Sequence, residues 1–270
     1  MLKPVPLWNL TGGLVVDVPP ASIPENATDS CSNVVFVDGK IIPRPGLASI
    51  WDAQSNSNYH LSKIKVLGGT ETVIGATLNT STNAVDIFKL SGTSWSSIKG
   101  ALSPTGSEDI YPTATQFKGE WFFTPGTSGL VTWNGVAASA SLVTNAAAAL
   151  QPPTLPKFVI AAPSGSNLFL MNFTDSLGSL QPYGIAWSGF LDSTKWNGGV
   201  NGGGSGSQLL AEDNEPITGA TTFGPFIIAL KARSTYVGQL SEWPKIYEIT
   251  RMDEDRGCVA QGSIASSMLS

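Results

Sequence analysis

The chain has 270 residues, of which 13% are charged, and a formal net charge of −5 at pH 7. Its 15 Lys and Arg residues are scattered, which argues against the clustered basic surface that nucleic-acid binding needs. The sequence shows no apolar stretch approaching 18 residues and no signal-like N-terminus, so it predicts neither a membrane span nor a cleavable signal. With 29 Gly and 18 Pro, it is typical of many short strands joined by turns.

The first predicted element, within residues 12–46, is a proline-containing extended arm followed by a β-hairpin. The runs 34–37 and 40–42 are rich in β-branched residues, and Asp38-Gly39 between them suits the positive φ angles of a type I′ turn. Pro43 and Pro45 then end the strand, because proline cannot donate a ladder hydrogen bond. We therefore expect residues 1–60 to be an arm and hairpin, and residues 61–270 to form a second domain.

Strand-like runs then recur in units along the second domain. The units span residues 63–98, 113–136, 157–196 and 216–250, and residues 262–270 resemble the first strand of a fifth. Starts spaced roughly 45 to 60 residues apart suit propeller blades of four short strands. Sandwiches and barrels also show short strands at such intervals, so spacing alone leaves these folds open.

Two segments within this domain lack a strand pattern. The run AAAAL at residues 146–150 lies between Asn145 and Pro152-Pro153, so it allows at most one or two turns of helix. Residues 197–208 are rich in Gly and Ser and lack core-forming side chains, which predicts a mobile loop between the third and fourth units.

Two separated regions carry a family resemblance. Within residues 12–46 it consists of Gly-Gly-Leu, Asp-x-Pro, Ile-Pro-x-Asn, Asn-Val-x-Phe-x-Asp-Gly and Arg-Pro-Gly, and further downstream it covers residues 187–197, 215–240 and 256–265. Both regions resemble virion proteins of tailed bacteriophages, namely the tail nozzle or tail tubular proteins of short-tailed phages. In the first region the matching residues are Gly12, Gly13, Leu14, Asp17, Pro19, Ile23, Pro24, Asn26, Asn33, Val34, Phe36, Asp38, Gly39, Arg44, Pro45 and Gly46.

The resemblance implies both a fold and a function. It implies an all-β, β-propeller-like array of four-stranded blades, about four plus the start of another, behind the arm and hairpin. It also implies a non-enzymatic tail, nozzle or head-to-tail protein of the phage virion, assembled in the host cytoplasm. The partners would be further copies in a homo-oligomeric ring, for which a hexamer is one arrangement, and other tail or connector proteins. DNA would pass through the lumen without specific binding, and residues 15–24 are a candidate for reaching a neighbouring subunit.

Residues with catalytic chemistry are sparse, and we assign no catalytic, cofactor-binding or metal-ligating residue. His60 is the only histidine, and its setting predicts a solvated turn that leads into a strand. Two acidic runs remain, and neither has the spaced ligands of a dedicated calcium loop, so both are interpreted as solvated turns. Their members are Glu212, Asp213 and Glu215 in the first run, and Asp253, Glu254 and Asp255 in the second.

The alternative function is a carbohydrate-binding or glycan-hydrolysing β-propeller. It requires two carboxyl groups roughly 5 to 9.5 Å apart across a sugar, a distance that sequence does not supply. It also calls for exposed aromatic side chains, and Trp187, Trp196 and Trp243 are the candidates. In propeller-like blades, however, tryptophans more often fill the cores between blades.

Two further questions stay open at the level of sequence. Cys31 and Cys258 stand near opposite ends of the chain; free thiols are favoured over a disulfide, which would close a very long loop. An incomplete fifth unit would leave costly strand edges, so the array needs completion. The hairpin could complete it, a neighbouring copy could complete it, or the chain is the leading part of a longer protein, which is the option we favour.

Overall fold

A computed structural model describes residues 13–14, 27–28, 34–37, 40–43, 56–65, 71–196, 203–241 and 246–264. The chain divides into two compact units, Met1–Ile50 and Trp51–Ser270. The predicted boundary at residue 60 lies inside the first strand of the second unit, which begins at Ser57.

The described residues of the first unit form two small pairs of strands. β1 (Gly13–Leu14) and β2 (Ala27–Thr28) pair in parallel. β3 (Val34–Val37) and β4 (Lys40–Pro43) form the antiparallel hairpin that the sequence predicts, with Val37 opposite Lys40. Strand β4 ends at Pro43, in agreement with the strand-ending role of that residue. The predicted turn type at residues 38–39 lies outside the described residues.

The second unit is an array of four successive four-stranded antiparallel sheets, each a simple meander in chain order. The first sheet contains β5 (Ser57–Lys65), β6 (Glu71–Asn79), β7 (Ala84–Ser91) and β8 (Ser94–Ser97). The second contains β9 (Thr113–Phe117), β10 (Glu120–Thr124), β11 (Val131–Trp133) and β12 (Ser141–Leu142). The third contains β13 (Phe158–Ala161), β14 (Leu168–Thr174), β15 (Leu180–Trp187) and β16 (Gly206–Leu209). The fourth contains β17 (Ile217–Phe223), β18 (Phe226–Lys231), β19 (Thr235–Leu240) and β20 (Tyr247–Asp253).

The first strands of the four sheets lie beside one another, with β5 next to β9, β9 next to β13, and β13 next to β17. Meandering sheets arranged side by side along their first strands are the architecture of propeller blades. The fold is therefore all-β and β-propeller-like, as expected from the sequence.

Apolar residues at alternate strand positions hold neighbouring sheets together. In β10, Trp121 and Phe123 belong to the core between the first and second sheets, whereas Phe122 belongs to the core between the second and third. This follows from the two-residue side-chain period of a strand, which turns successive side chains to opposite faces. A third core lies between the third and fourth sheets and includes Phe169 and Tyr247, whose rings meet edge to face at 4.8 Å.

The fourth strand of the third sheet corrects the predicted loop at 197–208 for residues 206–208, and residues 197–202 lie outside the described ranges. The sequence placed the last strand of this unit at residues 193–196, but that segment is a turn, and Gly206–Leu209 forms β16 against β15. A side chain at Gly206 would collide with the Trp187 indole, since its Cβ would lie 2.6 Å from the ring carbon Cζ2. The outermost strand therefore requires a small residue at position 206, and this requirement matters more there than an apolar side chain.

Helix is scarce in the described ranges. The run at 146–150 forms a single 3-10 turn at Ala148–Leu150, as predicted. A second 3-10 turn, Gln261–Ser263, stands where the sequence predicted a fifth opening strand at 262–270. The prediction of a strand is wrong for residues 262–263, and residues 265–270 lie outside the described ranges. No helix in the described part of the chain is long and apolar enough to cross a membrane.

Candidate functional site

The two acidic runs meet in a cavity of about 250 Å³ at one end of the fourth sheet. Three segments form its walls: the loop before β17, the turn between β18 and β19, and the end of β20 with the chain that follows it. The sequence alone did not predict that these runs lie close together. They are about 40 residues apart, and only the register of the sheet makes them neighbours. The lining residues are Asp213, Glu215, Arg233, Ser234, Arg251, Glu254 and Asp255.

Lys231 lies on the buried face of β18 and binds one of the acidic residues that line the cavity. Strand β18 alternates, so that Ile227, Ala229 and Lys231 share the face that packs on the third sheet. The Lys231 side chain is fully buried, and its Nζ donates a hydrogen bond to the Asp213 carboxylate. It also lies 4.9 Å from the centre of the Tyr236 ring, within cation–π range.

The electrostatics of the cluster follow from this buried pair. Burial opposes the charged form of Asp213, but hydrogen bonds from Lys231 and Ser234 outweigh it and hold the carboxyl pKa at about 2. Burial together with the charges of Asp213 and Glu212 raises the pKa of Tyr236 to about 12. At neutral pH the site therefore contains a fixed carboxylate at Asp213 and a neutral phenol at Tyr236.

Two further pairs of opposite charges lie at the cavity. Arg233 donates from Nε to Glu215 Oε1 at 2.8 Å and from its backbone N–H to Oε2 at 3.1 Å. Arg251 Nη1 lies 3.8 Å from Glu254 Oε1. Within the described residues, no group of three or more His, Cys, Asp or Glu side chains is arranged to hold a metal ion. The arrangement ties three loops together and does not present two unpaired carboxyl groups to a substrate.

The interpretation of both acidic runs as solvated turns is wrong for Asp213 and Glu215 in the first run, whereas Glu212 is exposed. Asp213 and Glu215 have side chains only 14% and 20% exposed, because each is held by a basic partner. The second run is a solvated turn as predicted, with Glu254 and Asp255 exposed and with Asp253 Oδ1 accepting backbone N–H bonds from Asp255 and Arg256.

Sequence reasoning missed Lys231, although one signal pointed to it. It follows Ile227 and Ala229 at a two-residue period, so it stands on the apolar face of a strand. A cation at such a position needs a buried partner, since an isolated charge is costly to bury. The nearest acidic run in the sequence supplies that partner.

His60 lies in strand β5, so its prediction as part of a solvated turn is wrong. It is a mostly buried side chain whose ring centre lies 5.6 Å from that of Phe123 in the second sheet. Its Nε2 is buried and has no hydrogen-bond partner. Burial lowers its pKa to about 4, so the ring is neutral at pH 7. The alternation of β5 explains the burial, because His60 and Ser62 face the second sheet.

Two of the three tryptophans considered for a sugar cleft lie in the cores between sheets. Trp187 and Trp196 are buried and belong to the cores on either side of the third sheet. Their indole N–H groups donate to the backbone oxygens of Gly204 and Ser193, respectively. Trp243 lies outside the described residues. Trp187 and Trp196 therefore fill the cores between neighbouring sheets.

A larger cavity of about 550 Å³ lies where β9, β13 and β17 begin. Residues 109–111 and 259–263 form two of its walls, and Gln261 Nε2 donates to the backbone oxygen of Tyr111 at 2.9 Å. Lys157 and Asn172 also line it, and Asn172 Nδ2 donates to Ile217 O at 3.0 Å across two sheets. Its mixed lining contains no catalytic set of the kinds considered from the sequence.

Cys258 is a free thiol, and its backbone N–H donates to Lys231 O at 2.8 Å. Cys31 lies outside the described residues, so the predicted state of that thiol stays a prediction.

No family model matches the sequence, and a search of curated proteins gives no match. Among solved structures, the chain is similar to one described as YCF48 bound to D1 peptide, with 12% sequence identity and a TM-score of 0.38. That similarity covers 65% of this chain and 49% of the solved chain, so it spans about half the length of the latter. The description of the fold as β-propeller-like rests on the four meanders and their adjacent first strands.

Proposed function

We propose that this protein is a non-enzymatic structural component of a tailed-phage virion, in the tail, nozzle or head-to-tail junction. In this role it assembles in the host cytoplasm into a ring around the DNA path. Its partners are further copies of itself and neighbouring tail or connector proteins. The function is mechanical, so it depends on sheet faces and tight turns more than on a reactive side chain.

The position of the resembling residues supports this proposal most directly. Residues 215–240 cover β17, β18 and β19, and residues 34–43 span the hairpin of the first unit. In the stretch 256–265, Gly257 packs against the backbone of residues 231–233, and a Cβ at Gly262 would lie 2.8 Å from the Tyr111 ring. Many of the resembling residues in the described part of the chain therefore lie in strands or at close chain crossings, which are positions that specify architecture.

The charge of the chain is consistent with the same role. A net charge of −5 gives a surface that repels DNA phosphates, so DNA can slide past it. Association between copies then has to come from apolar faces and strand edges, which an all-β array has in abundance.

The carbohydrate alternative receives less support from the site. It requires exposed aromatic side chains beside two available carboxyl groups. Trp187 and Trp196 are buried, and the carboxylates of Asp213 and Glu215 are paired with Lys231 and Arg233.

Electron microscopy of the purified chain tests the proposal, with glycan-array binding and hydrolysis assays run on the same preparation. We expect closed rings and no glycan binding above background. A monodisperse monomer that binds or cleaves glycans would overturn the virion role and favour the alternative. Glu215→Gln is the matched variant for any hydrolysis observed, because it removes one carboxylate of the cavity while keeping its shape.

A further inference from the structure

The cavity of about 550 Å³ at the start of β9, β13 and β17 has the size of a small-molecule site. Ligand pockets usually have volumes of about 300 to 1,000 Å³. Every residue that lines the cavity belongs to the described part of the chain. Segments next to the first strands of three successive sheets form its walls, so these sheets contribute to one site.

Hydrogen bonds between the third and fourth sheets fix the first wall of the cavity. Lys157 stands directly before β13, and its backbone N–H donates to Met171 O at 3.2 Å and to Asn172 O at 3.0 Å. Asn172 lies at the bulge of β14, and its Nδ2 donates to Ile217 O at the start of β17. This wall is therefore formed without a bound molecule.

The second wall is the segment 259–263, which follows β20. Thr218 Oγ1 donates to Cys258 O just before this segment, and Gln261 Nε2 donates to Tyr111 O within it. The segment thus connects the fourth sheet to the chain that precedes β9. Hydrogen bonds therefore hold this wall as well as the first one.

Two ionisable side chains of opposite sign line the cavity without an ion-pair partner. Lys157 is half-buried and Asp109 is exposed. Among the described residues, neither side chain forms an ion pair with the other or with a third residue. A molecule that carries both a carboxylate and an ammonium group can pair with both of them.

The side-chain oxygen of Asn172 is a further unsatisfied group at the first wall. The residue is only 3% exposed, and its Oδ1 is buried without a hydrogen-bond partner. A buried acceptor that lacks a donor costs free energy, and a ligand N–H that reaches this wall removes that cost.

Apolar side chains supply much of the remaining lining. Phe158 and Ile217 are 2% and 1% exposed, and Ile110 and Val259 also line the cavity. Apolar walls with a few polar groups are typical of ligand sites, and they favour an apolar group on the ligand.

We propose that this cavity binds a small zwitterion with an apolar side chain, namely an apolar amino acid or its dipeptide. The ligand carboxylate pairs with Lys157, and the ammonium group pairs with Asp109. One ligand N–H donates to Asn172 Oδ1, and the ligand side chain packs on Phe158 and Ile217. This binding goes beyond the virion role and does not depend on ring formation, so a failure to bind leaves the expected rings unaffected.

Calorimetric titration of the purified chain with L-leucine and with leucyl-leucine is the first test. We expect saturable binding of at least one of them with a dissociation constant below about 1 mM. Binding of leucine indicates the amino acid, and binding of leucyl-leucine alone indicates the dipeptide. The absence of binding by both ligands up to about 10 mM would overturn the proposal.

Blocked analogues test the two charged contacts on the unaltered protein. Leucinamide lacks the carboxylate and N-acetyl-leucine lacks the ammonium group, so each should bind about 10-fold more weakly than leucine, and the same groups blocked on leucyl-leucine should have the same effect. Equal affinity of the zwitterion and both analogues would show that the cavity does not recognise these charges, and the proposal would be wrong.

Lys157→Gln assigns the carboxylate to its partner. It should weaken binding of the zwitterion by about 10-fold and leave binding of the amide unchanged, because the amide has no carboxylate to lose. Lys65→Gln is the matched control, since Lys65 is an exposed lysine at the end of β5 and does not line the cavity. Equal weakening of both ligands by Lys157→Gln, or equal effects of the two substitutions, would contradict the assigned contact.

A variant that ends at Ile264 tests whether residues 265–270 compete for the cavity. These residues follow the second wall and lie outside the described ranges. We expect the affinity for the zwitterion to be unchanged in this variant, with an unchanged urea midpoint as the control for folding. A gain of about 10-fold in affinity would show that the chain itself occupies the cavity, and would overturn the proposal of a separate ligand.

Discussion

Lys231 and Asp213 form a buried ion pair that joins β18 to the loop before β17, with no exposed surface on the lysine side chain. The lysine also donates to Leu210 O, so the pair fixes the chain that links the third sheet to the fourth. Removing one partner of such a buried pair strongly destabilises the folded protein, because the other charge is then left buried without compensation.

Asp213→Asn should therefore destabilise the second unit by about 3 kcal/mol, as expected when one partner of a buried pair is removed. Urea unfolding followed by tryptophan fluorescence measures the loss. Glu71→Gln is the matched control: it breaks the Lys63–Glu71 pair, whose side chains are 62% and 57% exposed, and should leave the midpoint unchanged. Equal effects of the two substitutions would contradict a buried pair at Lys231.

The same carboxylate gives an acid dependence with a defined sign. Its pKa falls from 3.8 to about 2 in the folded protein, so its stabilising contribution is present above pH 3.8 and disappears as the pH falls towards 2. Unfolding midpoints measured between pH 5 and 2 should decline less steeply in Asp213→Asn than in the unmodified protein. Parallel curves for the two proteins would exclude a depressed pKa at this position.

His60 should make stability pH-dependent in a higher range. Burial lowers its pKa from 6.5 to about 4, so the unfolded chain takes up a proton between these values and the folded chain does not. The folded state is thus favoured above pH 6.5 and loses about 3 kcal/mol as the pH falls to 4. Thermal unfolding from pH 7.5 to 4.5 measures this loss.

His60→Phe is the variant for that experiment, because it keeps a ring beside Phe123 and cannot be protonated. His60 is the only histidine, so the difference between the two pH profiles belongs to this residue. The prediction fails if both proteins lose stability at the same rate between pH 6.5 and 5.

Much of the array is encoded in local sequence. The alternation in β10 assigns Trp121 and Phe123 to one core and Phe122 to the other, and the turn residues between runs separate the strands of each sheet. These signals depend on neighbouring residues and on a two-residue period, so they can be read without knowledge of the tertiary structure.

The features that could not be predicted depend on partners distant in sequence. Strand β16 contains one Gly and two polar residues among its four, and the position of the Trp187 indole explains why residue 206 is Gly. The ionic cavity likewise exists because the sheet register brings residues 213–215 beside residues 251–255. A polar run in the sequence looks solvated until its buried partner, here Lys231, is located.

Gly206→Ala tests the close approach of β16 to Trp187. The added Cβ would lie 2.6 Å from Trp187 Cζ2, so the indole or the strand must shift, at a cost of about 2 kcal/mol. Near-ultraviolet circular dichroism should change with the indole environment, and the urea midpoint should fall. In Gly129→Ala the nearest atom is the flexible end of Leu142 at 3.3 Å, so this control should show little change. A silent Gly206→Ala variant would argue against the assigned strand.

Asn172 tests how the bulge in β14 supports the link between the third and fourth sheets. Its φ of 51° is in the left-handed region, at the shift in register between Met171 and Phe173, and its Nδ2 donates to Ile217 O. Asn172→Gly and Asn172→Ala both remove the hydrogen bond, but only alanine adds the steric cost of a Cβ at positive φ. We therefore expect Asn172→Ala to be less stable than Asn172→Gly by about 1 kcal/mol in urea unfolding. Equal stability of the two variants, or a more stable alanine, would mean that residue 172 leaves the left-handed region at no cost, and that the bulge is not fixed by its backbone conformation.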